Sequence, residues 1–196
     1  MPLAPDQPGR KLTRRAVLQG GAAVAAAGAA APLMATPANA HEGGPLPSDS
    51  LLRTYLTPAG TEYAVLGSWP DGPSRILLTA TRDNSDMTVP YYTQAAIYLR
   101  RLGYIVVHID LPSHGKQVID PVNDVGLNGW VWRLKNGMDF VKEYNKRMHD
   151  VVSHLIATGR TQPGMLAMQG TSRGGFLAYH YAIYDDRVRC ALGFAP

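Results

Sequence analysis

Only one cysteine occurs in the 196 residues, Cys190, so the chain closes no disulfide within itself. Its place in the apolar run "VRCALGF" predicts a small buried hydrophobe rather than a reactive thiol. The chain lacks H-E-x-x-H or any comparable spacing of His, Cys and carboxylates, and it has neither G-x-G-x-x-G nor a Walker sequence. No metal, nucleotide or other cofactor is therefore expected. A membrane helix needs about 20 predominantly apolar residues. The best candidate, near the N-terminus, is broken by Gln19, several glycines and Pro32, so no stable membrane anchor is expected.

What that N-terminal stretch does contain is ordered. Thr13-Arg14-Arg15 precedes Ala16-Val17-Leu18, a weakly apolar run rich in Ala and Gly follows, and the run ends in Ala38-Asn39-Ala40, a small-x-small cleavage pattern. Adjacent arginines before a modest apolar stretch resemble a twin-arginine export signal, an address read by the export machinery. Residues 1–40 are read as that signal, 41–50 as a linker and 51–196 as one domain, with a periplasmic or extracellular destination.

Removing the signal also removes the charge excess. The chain has 19 Lys+Arg and 15 Asp+Glu, net +4; Arg10, Lys11, Arg14, Arg15 and Asp6 lie in the first forty residues. The remainder carries 15 basic and 14 acidic residues, net +1. Without a clustered basic face, no nucleic-acid partner is expected.

From Leu51 onward, short β-type runs alternate with helical ones. "LLRTYLTP" and "TEYAVLGSW" read as a hairpin turning at Pro58-Ala59-Gly60. "SRILLTAT" and "YIVVHID" read as buried strands, and "GMLAMQG" and "VRCALGFAP" as two further strands. Between them, "TVPYYTQAAIYLRRLG" is a helix capped by Thr88, with Tyr92, Ala95, Ala96, Leu99 and Leu102 on its apolar face. A second helix runs from about Gly137 to Thr158, and "RGGFLAYHYAIYD" is a third, ending at Asp185 and Asp186 in solvent. Leu111 to Asn136 shows no sustained period and reads as a long loop with a short helix; its Trp130, Trp132 and Arg133 either wall a site or pack on the core. Alternating strands and helices imply an α/β class with a mostly parallel sheet and helices on both faces.

Gly170-Thr171-Ser172-Arg173-Gly174 fits G-x-S-x-G and lies between a predicted strand and a predicted helix, the setting of a nucleophile elbow. A serine in so tight a turn takes strained backbone angles, and glycines two before and two after remove collisions with the chain doubling back. The Arg173 amide, opening the helix, then points to where an oxyanion would form. The alternative is a hydroxyl that caps the helix in an ordinary turn. Upstream, Asp110-Leu111-Pro112-Ser113-His114-Gly115 follows another buried strand.

Strand, G-x-S-x-G, helix and the earlier D-x-P-x-H-G together resemble the α/β-hydrolase superfamily over about Leu51 to Pro196, on the esterase-like and prolyl-oligopeptidase-like side. The resemblance implies an exported serine hydrolase that cleaves a carboxylic ester through an acyl-enzyme, with a small-molecule ester or peptide as substrate. It makes Ser172 the nucleophile, Gly170 and Gly174 the elbow glycines, and the Arg173 amide one oxyanion donor. The second donor comes from the loop after the third strand, where Thr81 or Arg82 stands in place of the usual His-Gly. Independently of the resemblance, the place of His114 in a loop at the elbow's end of the sheet, where open α/β sheets receive ligands, makes it a candidate pocket residue. A prolyl-oligopeptidase-like peptidase and a non-catalytic module of the same fold are the alternatives.

The serine needs a base and an acid. In this superfamily they follow the serine in the order acid, then histidine. After Ser172 come only His180, about two turns down the helix, and Asp185 and Asp186. His108 reads as strand core, and His149 and His154 as helix positions. The acid and histidine are expected beyond Pro196, with the 196 residues as the N-terminal portion of a longer enzyme whose fold lacks its C-terminal strands here.

Overall fold

A computed structural model describes residues 51–194. The expected export signal and linker lie outside the described residues.

The first two short runs pair as the hairpin, β1 (Leu52–Leu56) against β2 (Glu62–Leu66), with Leu52 opposite Leu66 and Leu56 opposite Glu62. Gly60, at φ 86°, makes the turn between them. The nearly continuous apolar runs become β3 (Ile76–Ala80) and β4 (Ile105–His108), every residue of both buried. The last two strands are β5 (Leu166–Thr171) and β6 (Val188–Phe194). The strand order is β1-β2-β4-β3-β5-β6; β2 runs antiparallel to β4, while β4, β3, β5 and β6 are mutually parallel. Parallel neighbours need crossover segments, which the helices supply.

Alternation along each strand sends side chains to two faces. Ala64, Leu66, Leu77 and Val106 pack on one face with Ala96 of α1 (Pro90–Arg101). Tyr63, Val65, Ile76, Leu78, Ile105 and Val107 form the larger core with α3 (Phe140–Ala157) and α4 (Arg173–Tyr184). Each such side chain contributes roughly 1.5–3 kcal/mol on burial, so both layers are held by their apolar stripes. Asp139 caps α3 by accepting the Lys142 N–H at 2.9 Å, which starts that helix after Gly137 and Met138.

Four local readings need correction. Thr88 does not cap α1: it ends a 3-10 turn, Asn84–Thr88, with its hydroxyl on the Ser85 carbonyl, and Val89 holds the cap position without a side-chain bond. Leu102 is exposed, because the helix has ended before it. Cys190 is also exposed, since the outward positions of β6 have no strand or helix over them among the described residues. Asp185 is not a solvent end: at 3% exposure it accepts bonds from Tyr181 Oη at 2.6 Å and from Arg187 Nε at 2.7 Å and Nη2 at 2.6 Å.

The segment read as a long loop is more ordered than its pattern suggested. It holds a 3-10 turn, Gly115–Gln117, and α2 (Gly126–Lys135). The buried positions of α2 are Gly129, Trp130 and Arg133, while Leu127, Val131 and Leu134 face outward. A hydrophobic period therefore could not reveal the inward face. Trp130 packs on Phe140, ring centroids 4.5 Å apart, and its indole donates to the Pro112 carbonyl at 2.7 Å. Trp130 and Arg133 thus settle into the core.

A candidate nucleophile elbow and its surroundings

Ser172 is the hinge between β5 and α4. Its backbone sits at φ 54°, ψ −124°, a region that residues with a Cβ rarely occupy. The turn is held from both sides: the Ser172 N–H donates to the Phe194 carbonyl at 2.7 Å, and its own carbonyl accepts the Gly175 N–H at 2.8 Å. The flanking glycines are obligatory for different reasons. A Cβ on Gly170 would overlap the Gly174 carbonyl and lie 2.6 Å from the Gly175 nitrogen, as expected for a chain doubling back. A Cβ on Gly174 would instead overlap the Ala80 carbonyl, so this glycine lets α4 close on the end of β3.

The Ser172 side chain is exposed and makes no cap bond, so the ordinary capping role is not the one it performs. No hydrogen bond among the described residues engages its hydroxyl. The Arg173 N–H, in the first turn, has no intrahelical acceptor and remains available at the helix's positive end.

Thr81 and Arg82 follow β3 at the same end of the sheet. Thr81 is buried, its hydroxyl 3.5 Å from the Asp83 carbonyl. The Arg82 N–H already donates to Asp86 Oδ2 at 3.1 Å, and the same carboxylate takes Arg82 Nε at 2.8 Å and Nη2 at 2.7 Å. That engagement holds the Arg82 guanidinium above its ordinary pKa and leaves its amide occupied. Asp86, almost wholly buried, was not singled out in the sequence; its i, i+4 spacing from Arg82 was the available signal.

The D-x-P-x-H-G stretch bridges two loops. Asp110 accepts the Asn84 N–H and the Lys116 N–H, each at 2.9 Å, tying the loop after β3 to the loop after β4. Gly115, at φ 50°, has no room for a Cβ beside the Asp110 carboxylate. His114 is 8% exposed; its Nδ1 donates to the Pro112 carbonyl at 2.9 Å, which leaves Nε2 bare and buried without a partner. Burial, more than the neighbouring Arg173 charge, holds its pKa below the ordinary value, so the ring is neutral at pH 7. The charges that act on it, Arg173, Asp83 and Arg82, place it beside the elbow and the loop after β3.

The other histidines are not brought to the serine. His108 is core, its Nδ1 donating to the Thr79 carbonyl at 2.8 Å. His180 is exposed, its ring tilted against Phe176 with centroids 4.4 Å apart. His149 bonds Asp185 at 3.1 Å, and His154 lies against Tyr63. Among the described residues no histidine bonds Ser172.

No model of a known protein family matches the chain, and no curated protein matches it in sequence. Solved structures do match it. A Klebsiella pneumoniae protein described as a dienelactone hydrolase is 16% identical, with a TM-score of 0.51, over 72% of this chain and 57% of its own. A cold-adapted esterase from an Arctic intertidal metagenomic library is 18% identical, with a TM-score of 0.50, over 72% of this chain and 58% of its own. The chain thus spans under two thirds of the length of either structure. Its strand order and these likenesses show the α/β-hydrolase fold.

Proposed function

We propose that the chain belongs to an exported serine hydrolase that cleaves a carboxylic ester through an acyl-enzyme. The observation that carries this reading is Ser172, held at φ 54° between two glycines that admit no side chain, with its hydroxyl exposed and uncommitted. Strain of this kind costs roughly 1–3 kcal/mol, and an ordinary turn would not retain it.

In the proposed step, Ser172 Oγ attacks the ester carbonyl carbon while a base accepts its proton. The tetrahedral oxyanion receives the Arg173 N–H and a second amide. With the Arg82 amide occupied by Asp86, Thr81 is the better second donor. Collapse expels the alcohol, protonated by the base, and water then releases the acid from the serine. The export signal over residues 1–40 delivers the enzyme to the periplasm or beyond.

An uncommitted hydroxyl with no histidine bonded to it among the described residues also favours a second reading, a non-catalytic module of the same fold. A fluorophosphonate probe separates the two. Labelling of the full-length protein that disappears in Ser172→Ala is expected; absent labelling, or labelling that persists in the variant, supports the non-catalytic module or another nucleophile.

A further inference from the structure

The residue after the nucleophile carries a guanidinium without an acceptor. Arg173 Nη1 is buried and has no hydrogen-bond partner among the described residues. Three other guanidiniums hold carboxylates: Arg82 holds Asp86, Arg133 holds Asp124 and Glu143, and Arg187 holds Asp185. Among the described residues Arg173 instead has the Trp130 ring, its Cζ 6.0 Å from the centroid. Burial, followed by repulsion from Arg82, holds its pKa below the ordinary guanidinium value. A buried, unpaired donor is costly to leave unmade.

The position of this group matters as much as its loneliness. The Arg82 charge acts on it, a Cβ added to Gly126 at the start of α2 would lie 3.5 Å from Nη1, and Arg173 in turn acts on His114. These residues sit at or beyond the carboxyl ends of β3, β4 and β5, the side where open α/β sheets receive ligands. The Arg82 guanidinium is already committed to Asp86 through two side-chain bonds. The uncompensated positive charge beside Ser172 belongs to Arg173.

We propose that the Arg173 guanidinium binds a carboxylate carried by the substrate, so that the preferred substrate is an ester of a dicarboxylic acid or a similarly anionic ester. The inference rests on the reading of Ser172 as an ester nucleophile. A planar carboxylate supplies two acceptor oxygens and the opposite charge, which matches a guanidinium fork in geometry and sign. The Arg173 main chain and side chain then divide the work: the N–H faces the oxyanion, and the guanidinium selects the substrate by its charge.

Calorimetry on full-length Ser172→Ala protein, which leaves esters intact, tests this without requiring turnover. Monomethyl adipate is expected to bind at least about tenfold more tightly than neutral hexanamide. Adding Arg173→Gln should remove that preference while hexanamide binding stays unchanged, and Arg173→Lys should restore part of it. Thermal melting of each variant checks that it folds. Undetectable binding of monomethyl adipate, equal weakening of both ligands, or adipate binding indifferent to Arg173→Gln would each overturn the assignment. Because the serine is absent from this experiment, a failure of fluorophosphonate labelling refutes the hydrolase reading separately.

Discussion

At the scale of single residues, Ser172 offers a test of strain that is independent of catalysis. Alanine keeps a Cβ at φ 54°, whereas glycine accepts that angle freely at some cost in unfolded-chain entropy. With strain of about 1–3 kcal/mol against an entropy term of about 0.4–1 kcal/mol, Ser172→Gly should be more stable than Ser172→Ala by about 1 kcal/mol in urea unfolding. Equal stability would mean that the elbow is relaxed. Gly174→Ala should destabilise by about 3 kcal/mol or more, because its Cβ meets the rigid Ala80 carbonyl rather than a movable side chain. Asp185 adds a pH signature. Arg187 and Tyr181 outweigh its burial and hold its carboxyl well below the ordinary 3.8, so its contribution is complete above about pH 4 and lost as pH falls toward the folded value. Asp185→Asn should therefore cost about 3 kcal/mol at pH 7, most of that at pH 3, and about half or less near pH 2; a gap that stays constant down to pH 2 would show that Asp185 is not ionised. The elbow was legible in the sequence because five adjacent residues define it. The Asp185 network was not, because one of its members, His149, lies 36 positions away.

At the scale of elements, legibility followed the apolar period. The hairpin, β3 to β6, α1, α3 and α4 present hydrophobic residues to the core and were readable. α2 inverts the rule by burying Gly129, Trp130 and Arg133. Polar bonds, rather than an apolar stripe, hold it in place: Arg133 reaches Asp124 through Nε and Nη2, both at 2.8 Å, and Glu143 through Nη1 at 2.7 Å. Asp124 also accepts the Ser113 hydroxyl and the Ile119 N–H. Arg133→Met leaves Asp124 buried and stripped of its cation, for which a loss of about 3–5 kcal/mol is expected. The measurement is thermal or urea unfolding of the full-length protein. A loss below about 1 kcal/mol would place α2 under apolar packing by Trp130 instead.

At the scale of the whole molecule, the parallel strands deliver three separate stretches to one end of the sheet: the loop after β3, the D-x-P-x-H-G loop after β4, and the elbow after β5. Their order along the chain was readable, but their mutual support was not, because it passes through single polar atoms. Asp110 is the connection, with one oxygen on the Asn84 N–H and the other on the Lys116 N–H. Asp110→Asn presents an amide NH2 where one of these donors needs an acceptor, so one bond must fail. The expected loss is about 1–3 kcal/mol. The distinctive result lies in hydrogen exchange: if the carboxylate joins the loops into one unit, the amides on either side, near Asn84 and near Lys116, lose protection together. Fluorophosphonate labelling should slow as well, because in the proposed mechanism the loop after β3 carries the second oxyanion amide. Loss of protection confined to Lys116, with labelling unchanged, would mean that the two loops are independent and that the D-x-P-x-H-G stretch supports only its own turn.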